Sequence, residues 1–259
     1  MARGGGTNGG TVIRRAETAL RVVIAVQQAG KYASAASGDT VEVVQRPGSA
    51  LSVLLVDGQG SGPGAKALSL LLTGRAASLV RDGARDQTVL DSAHDFLLAH
   101  RNGLVSATVD LVTIDPVAGE LRIARHALAP AVVGDDVGFR MTGPVSGPIG
   151  RWQVEPAATF RTGIVAGTTL VVTSDGVAHA GDRRGGSPLD LAHALTAAGL
   201  AGATPGEIGD FVMGLARDRD HGRPADDMTV VVVGVRADED PDRSMTMRVS
   251  LPVTKRGSQ

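Results

Sequence analysis

The stretch VLLVDGQGSGPGAKALSLLL, residues 53–72, joins a strongly apolar run to a helix-like run through a glycine-rich turn. The Val and Leu residues before the turn predict a strand, and the apolar residues after it recur at the three-to-four spacing of a helix. Asp57 stands where the strand ends. A carboxylate in that position is held at the rim of the core and still faces solvent.

Two other apolar runs have aspartates at their ends. Asp175 follows the run TLVVTS, and Asp226 with Asp227 precedes MTVVVVGV. If the last strand is antiparallel to the other two, all three ends lie on one rim of the sheet. Clustered carboxylates repel one another unless a cation is present, and hard divalent cations bind such clusters. The pattern therefore predicts a metal site.

Asp39 and Gly58 extend this set. Asp39 begins the strand that forms a hairpin with the strand ending at Asp57, so the two aspartates are expected side by side. Gly58 has no Cβ, so its backbone can approach an ion and its carbonyl can serve as a ligand. Each aspartate taken alone is more often a turn former or a helix cap. Only the set favours metal binding.

The composition restricts the possible classes of protein. The chain has 259 residues, of which 42% are apolar and 2% aromatic, so a core of Val, Leu, Ala and Ile is expected. Cysteine is absent, which excludes disulfides, zinc thiolates and a cysteine nucleophile. The net charge of −1 gives no reason to expect nucleic acid or a membrane as a partner. With no signal peptide or membrane-spanning run in the sequence, a cytoplasmic protein is expected.

The order of predicted elements indicates the fold class. Strands occur in groups and do not alternate with helices, which is typical of mainly antiparallel sheets with segregated helices. We therefore predict an α+β fold, an αββα sandwich of two stacked sheets flanked by helical pairs. Helices are expected at 64–80, 87–101, 187–199 and 205–219, and strands at 18–28, 41–45, 50–58, 104–116, 119–128, 138–143, 152–160, 168–176 and 227–235.

We interpret the chain as one domain with two tails. Residues 1–12 are glycine-rich and predicted to be disordered, and the domain is expected to span 13–236. In the tail 237–259, apolar residues alternate with polar ones from Met245 to Val253, which indicates either an extra edge strand or a disordered segment.

Several of these stretches also resemble the metal-dependent PPM-type protein phosphatases, in particular the stage II sporulation protein E-like branch. The resemblance covers about residues 18 to 236, in the family's order. It rests on GKYASAASGD, VLLVDGQGSGPGAKALS, IDPVAGELRIARHALAPAVV, TLVVTSDGV and ADDMTVVVVGV.

The resemblance implies an αββα sandwich with two Mn²⁺ or Mg²⁺ ions and hydrolysis of phosphoserine or phosphothreonine by an activated water. Asp57 would bridge the ions, with the Gly58 carbonyl as a further ligand. Asp175 and Asp226 would bind the first ion, and Asp39 would lie at the second, directly or through water. Asp227 would have a secondary role. Lys31 would hold the substrate phosphate. The substrate would be a phosphoprotein, for example an anti-sigma-factor antagonist.

Some positions depart from the family or admit other interpretations. Many relatives place a histidine where this chain has Gln59, and His179 is a candidate substitute as proton donor. Arg183 and Arg184 could steer a phosphoprotein, although a solvated loop would look the same. A module that has lost activity and only binds a phosphoprotein is the alternative function. A dinucleotide-binding turn at Gly60, a calcium loop and a two-metal nuclease all fit the rest of the chain less well.

Overall fold

Two antiparallel sheets stack face to face, and helices cover the outer face of each sheet. The structure is a computed structural model that describes residues 19–34, 36–238, 244–248 and 250. Within those residues each sheet has five strands. The prediction of an α+β fold, an αββα sandwich, is confirmed.

The first sheet pairs the first and last strands of the domain. In spatial order its strands are β1 (Leu20–Ala29), β10 (Met228–Ala237), β9 (Thr169–Thr173), β6 (Val132–Gly134) and β7 (Phe139–Met141). The second sheet is a meander with one late strand. Its order is β2 (Asp39–Gln45), β3 (Leu51–Gly58), β4 (Ala107–Asp115), β5 (Glu120–His126) and β8 (Ala158–Gly163).

Helices form the two outer layers. α1 (Gly62–Arg81) and α2 (Asp86–Arg101) pack on the second sheet. On the first sheet lie α4 (Leu191–Ala197) and α5 (Pro205–Arg219), together with the single turn α3 (Asp175–Ala178) and a 3-10 turn at Asp182–Arg184.

Strand β10 shows why its sequence is a continuous apolar run. Val230 and Val232 pack under the helices of the first sheet, whereas Val231 and Val233 face the other sheet. Successive strand residues point to opposite faces, and both faces of this strand are covered. The run therefore needs no polar alternation.

The helix α5 begins as the sequence predicts. Thr204 Oγ1 accepts a hydrogen bond from the Glu207 amide at 3.3 Å, and Glu207 Oε2 accepts one from the Thr204 amide at 2.8 Å. This capping box, with Pro205 at the first helical position, satisfies amides that the helix itself leaves unpaired.

Other boundaries differ from the predicted ones. The strand predicted at 152–160 is wrong in its first part, since β8 begins only at Ala158. Pro156 has no amide hydrogen to donate to a sheet. Earlier in this segment, Ile149 exchanges backbone hydrogen bonds with Ala107 at one end of the second sheet. Strand β6 was not predicted, because three residues are too few to show a period.

The two predicted tails are described only in part. The disordered stretch predicted at 1–12 lies outside the described residues. Residues 244–248 and 250 belong to neither helix nor strand, and the other positions of the edge strand predicted in the tail lie outside the described residues. No helix in the described part of the chain is long and apolar enough to cross a bilayer.

A charged pair lies buried between the sheets. Asp110 and Arg125 are directly opposite on β4 and β5, and Arg125 Nε lies 2.6 Å from Asp110 Oδ1. Both side chains are almost fully buried. Burial raises the pKa of Asp110, and the neighbouring guanidinium opposes that shift. Each charge is tolerated in the core only because the other is present.

This pair yields a prediction about stability. Asp110→Leu alone should lower the free energy of unfolding by roughly 3–5 kcal/mol, because it leaves the Arg125 charge buried and uncompensated. Adding Arg125→Met should return the free energy to about the wild-type value. Urea unfolding of both variants measures this, and a double variant no more stable than Asp110→Leu would contradict it.

Candidate metal centre

Four strand ends meet at one end of the sandwich, and each contributes an acidic residue there. Asp39 and Asp57 are direct partners in the pairing of β2 with β3. Asp175 follows β9, and Asp226 precedes β10 on the neighbouring antiparallel strand. The expectation that all these aspartates lie on one rim of a single sheet is therefore wrong. The first pair belongs to the second sheet and the others to the first.

The apolar layer between the sheets ends at these carboxylates. Val53 and Leu55 of β3 lie in that layer, so Asp57, two residues further, continues the same face. By the same alternation Thr229 lies on the inner face of β10, beside Val231. The polar side chains of Asp57 and Thr229 thus lie where the apolar layer ends.

Asp39 is the most buried of these acids and connects the two sheets. The Thr229 hydroxyl donates a hydrogen bond of 2.6 Å to Asp39 Oδ2. The other oxygen, Asp39 Oδ1, is buried and has no hydrogen-bond partner. Burial raises the pKa of Asp39 to about 6, although the hydrogen bond from Thr229 and the nearby Ser174 hydroxyl favour the charged form. A buried carboxylate oxygen without a partner needs an explanation, and a bound cation would supply one.

Asp57 lies at the centre of the cluster. Its carboxyl is within hydrogen-bonding reach of the carboxyls of Asp39 and Asp175. Burial, and after it the charges of these two neighbours, raise the pKa of Asp57 to about 10. Without a cation, the Asp57 carboxyl therefore keeps its proton at neutral pH.

Asp226 lies at the more exposed edge of the site. Burial raises its pKa, while the Asp227 amide and the charge of Lys31 act in the opposite direction. Arg183 Nη2 is 3.9 Å from Asp226 Oδ2, and both side chains are partly exposed. The side chain of Arg184 lies outside the described part. Two cations therefore stand close to the acidic cluster on its solvent side.

The donor set fits a hard divalent cation. The cluster offers carboxylate oxygens, with one buried oxygen unpartnered, and Mg²⁺ and Mn²⁺ prefer such ligands. Among the described residues, no three acidic or histidine side chains form a ready-made cage. For this reason, the metal-binding roles of four residues stay predictions: Asp39, Asp57, Asp175 and Asp226.

Comparison with known proteins gives the family of the chain. The family model for stage II sporulation protein E (SpoIIE) matches residues 47–236, well over half of the chain. The chain belongs to the SpoIIE family. Proteins of this PP2C-like phosphatase type are metal-dependent, as the sequence resemblance implied.

Solved structures share the fold of this SpoIIE-family chain. The PP2C phosphatase domain of SpoIIE from Bacillus subtilis, solved with a fragment of its regulatory domain, aligns over 86% of this chain with a TM-score of 0.74 and 21% identity. The RsbU and RsbW domains of a Mycobacterium tuberculosis protein align over 83% with a TM-score of 0.69 and 22% identity. RsbX in complex with magnesium aligns over 83% with a TM-score of 0.61 and 15% identity.

The extent of the matches differs between these proteins. The chain spans 66% of the SpoIIE structure, 60% of the RsbU–RsbW structure and 95% of RsbX. No curated protein matches the chain in sequence. At these identities, the structural matches establish the fold.

Within the SpoIIE-family domain, Asp227 holds the connection between the sheets. Its two carboxylate oxygens accept hydrogen bonds from the amides of Lys31 and Gly38, at 2.8 and 2.7 Å. Those amides lie at either end of the link from β1 to β2, which crosses from one sheet to the other. Metal binding by Asp227 stays a prediction, and this geometry favours a positioning role.

Gly58 has a packing reason to be glycine. A Cβ built there would lie 2.6 Å from the Ala65 carbonyl oxygen, because the first turn of α1 crosses directly over the end of β3. The close approach keeps the turn after Asp57 tight. The predicted ligand role of the Gly58 carbonyl is a separate matter and stays a prediction.

Two lysines border the cluster, of which the sequence singled out one. Lys31 Nζ is 3.5 Å from Ser61 Oγ at the start of α1. The positive charge of Lys31 also lowers the pKa of Asp226 against the effect of burial. Lys66 Nζ donates to the Asp39 carbonyl at 2.6 Å and to Thr40 Oγ1 at 3.1 Å. Lys66 therefore ties α1 to the strand that carries Asp39.

Gln59 does not act as a proton donor in this arrangement. Its Oε1 accepts hydrogen bonds from the Ser106 amide at 2.8 Å and from the Ser106 hydroxyl at 3.1 Å. His179 is exposed, and its Nδ1 lies 3.1 Å from the Asp175 carbonyl oxygen. Gln59 thus anchors the turn after Asp57 to the start of β4.

The sequence reasoning missed the hydroxyls that complete the cluster. Thr229 is the one polar residue at the start of the MTVVVV run, and Ser174 immediately precedes Asp175. Ser174 Oγ accepts from the Thr229 amide at 2.9 Å. A polar residue that interrupts a buried strand next to a candidate ligand was the available signal.

The raised carboxyl pKa values predict how the metal-free protein responds to pH. A carboxyl whose pKa is raised in the folded state makes its full contribution to stability below its ordinary pKa of 3.8. That contribution is lost as the pH rises towards the pKa in the folded state, which is about 10 for Asp57. Asp57→Asn removes this loss. In EDTA, its melting temperature should exceed the wild-type value by an amount that grows from about pH 5 to about pH 9.

The expected gain is several degrees at the upper end, since 1 kcal/mol corresponds to roughly 2–4 °C in a chain of this size. Differential scanning fluorimetry measures it. Asp218 is an exposed residue of α5, and the control variant Asp218→Asn should show no such trend. A pH-independent difference for Asp57→Asn would contradict the prediction.

A second variant separates the two roles of Asp227. Asp227→Asn places an NH₂ group against a backbone amide, so it should cost about 1–3 kcal/mol of unfolding free energy. Its dissociation constant for Mn²⁺, measured by isothermal titration calorimetry, should stay within a few-fold of the wild-type value. Weakening of Mn²⁺ binding as severe as in Asp175→Asn would identify Asp227 as a ligand.

Proposed function

We propose that this protein hydrolyses phosphoserine or phosphothreonine in a regulatory protein, using two Mn²⁺ or Mg²⁺ ions held by its strand-end aspartates. One observation carries the proposal. The carboxyls of Asp39, Asp57 and Asp175 crowd together between two sheets, and Asp39 retains a buried oxygen without a partner. Crowded carboxyls lower the stability of the protein unless a cation binds. Groups with such strongly raised pKa values cluster at functional sites, which supports a catalytic role.

The proposed ligands divide between the two sheets. Asp57 would bridge the ions with help from the Gly58 carbonyl, Asp175 and Asp226 would complete one site, and Asp39 would belong to the other. When bound, the ions would lower the pKa of an attacking water and neutralise charge on the phosphoryl group. The chain itself supplies rigidity, because the Thr229 hydroxyl fixes Asp39 across the gap between the sheets.

Lys31 is the proposed contact for the substrate phosphate. Its backbone amide is fixed by Asp227, and its side chain reaches Ser61 beside the cluster. A flexible ammonium at the edge of an acidic centre can pair with a phosphoryl oxygen. Arg183, on the opposite side of Asp226, can interact with the same dianion.

The proton for the leaving group has no side-chain donor in the part of the cluster described here. Gln59 is an amide bound to Ser106, and His179 points at a backbone carbonyl. Water is then the proton source in the proposed reaction. This feature also keeps the alternative of a catalytically weak module that binds a phosphoprotein.

The proposed substrate is a phosphorylated regulatory protein such as an anti-sigma-factor antagonist. The support is the SpoIIE family of the chain and its structural similarity to RsbU and RsbX domains. The net charge of −1 gives no competing reason to choose nucleic acid.

Turnover of p-nitrophenyl phosphate tests the proposed chemistry. With Mn²⁺ we expect hydrolysis that EDTA abolishes. Asp57→Asn and Asp175→Asn should each lower kcat/KM by more than the ~10–100-fold that loss of an outer-shell partner costs. Asp218→Asn on α5 keeps the same chemical change away from the cluster and should retain wild-type turnover.

Two results would count against the proposal in different ways. Turnover that survives EDTA and both substitutions would rule out the two-metal mechanism. Mn²⁺ binding by calorimetry without any turnover would favour the phosphoprotein-binding module.

A further inference from the structure

Large apolar side chains are exposed at the end of the sandwich that holds the carboxylates. Trp152, the single tryptophan of the chain, is 71% exposed, and Leu104 is 76% exposed. Leu128 and Val145 are also exposed. Tryptophan is a costly residue to leave in water and is enriched where proteins bind partners.

Backbone hydrogen bonds place these residues at the site end. Leu128 follows the end of β5, and the Ser146 amide donates to the Ala127 carbonyl. Ile149 pairs with Ala107, the first residue of β4, which is itself opposite Gly58. The exposed residues thus border the same strand ends that present Asp57.

A chain of polar contacts links the exposed tryptophan to the candidate metal centre. Gln59, two residues after Asp57, binds the amide and hydroxyl of Ser106. Arg151 Nη2 reaches the same hydroxyl at 3.5 Å, and Trp152 is the next residue. Arg151, and with it Trp152, is therefore linked through Ser106 to the turn that carries the proposed bridging aspartate.

The indole ring of Trp152 lies against the backbone of Gly103. Gly103 has a φ of +73°, and a Cβ built there would lie 2.5 Å from Trp152 Nε1. The positive φ favours glycine, and a side chain at this position would displace the indole. The indole therefore lies against the backbone just after α2. An aromatic side chain with only two rotatable bonds binds a partner at low entropic cost.

The charges around the site suit an anionic chain. Arg151 lies beside Trp152, and Lys31 and Arg183 lie beside the acidic cluster. A segment around a phosphoserine brings negative charge to these cations. An apolar side chain next to the phosphoresidue could then cover the indole.

We propose that Trp152 and Leu104 form a docking surface, the Trp152 platform, for an apolar side chain next to the phosphoresidue of the substrate. The inference rests on the proposed phosphatase function and adds a determinant of substrate choice. The expected occupant is a phosphoprotein segment with an aliphatic residue near its phosphoserine. A second copy of this chain is the competing occupant.

A peptide panel tests the platform by turnover. Each phosphoserine peptide carries one leucine at a different position from the phosphoserine, in an otherwise serine background. With Mn²⁺, wild-type protein should prefer one leucine position by about tenfold in kcat/KM over the all-serine peptide. Trp152→Ala should reduce that ratio to about one. Val117→Ser, which alters an equally exposed residue between β4 and β5, should keep it.

A binding measurement keeps the test independent of activity. Because Trp152 is the single tryptophan, its emission reports directly on the platform. In Asp57→Asn protein, the preferred leucine peptide should shift the emission to shorter wavelength, and Leu104→Ser should weaken that binding about tenfold. The all-serine peptide should leave the emission unchanged.

The outcomes separate the platform from the phosphatase proposal. Equal hydrolysis of all peptides with no change in emission would overturn the platform and leave the phosphatase function standing. A leucine-dependent emission shift without turnover would support the platform and count against catalysis. An emission that changes with protein concentration, together with a doubled mass in light scattering, would assign the surface to a second copy and overturn the inference.

Discussion

The hydrogen bond from the Thr229 hydroxyl to Asp39 is the contact on which the site depends. It joins the last strand of one sheet to the first strand of the other, at the point where the apolar layer between them ends. Asp227 adds a second connection by binding both ends of the link between those sheets. These contacts hold like-charged carboxyls close together, which their own repulsion would prevent.

The same constraint explains the chemistry of the cluster. Burial beside two other carboxyls raises the pKa of Asp57, so this carboxyl keeps its proton. A divalent cation in the proposed site would replace that proton, so metal affinity and pH would be coupled. The packing of the two sheets crowds the carboxyls, and backbone hydrogen bonds position Asp227 and Ser174 beside them.

The end of the sandwich combines two kinds of surface. The acidic cluster is the proposed metal centre, and the proposed Trp152 platform beside it would receive an apolar side chain. Gln59 belongs to both, since it follows the proposed bridge and anchors Ser106, which Arg151 also contacts. Gln59 therefore links the acidic cluster to its rim.

The sequence by itself determined the layered fold and the identity of the acids, because strand and helix periods and strand-end aspartates are local signals. The αββα order and the start of α5 at Pro205 could be predicted for this reason. The partition of the acids between two sheets was decided only by tertiary structure, as were the roles of Thr229 and Asp227. Their partners lie about 190 residues away in the chain, and no local pattern specifies such pairing.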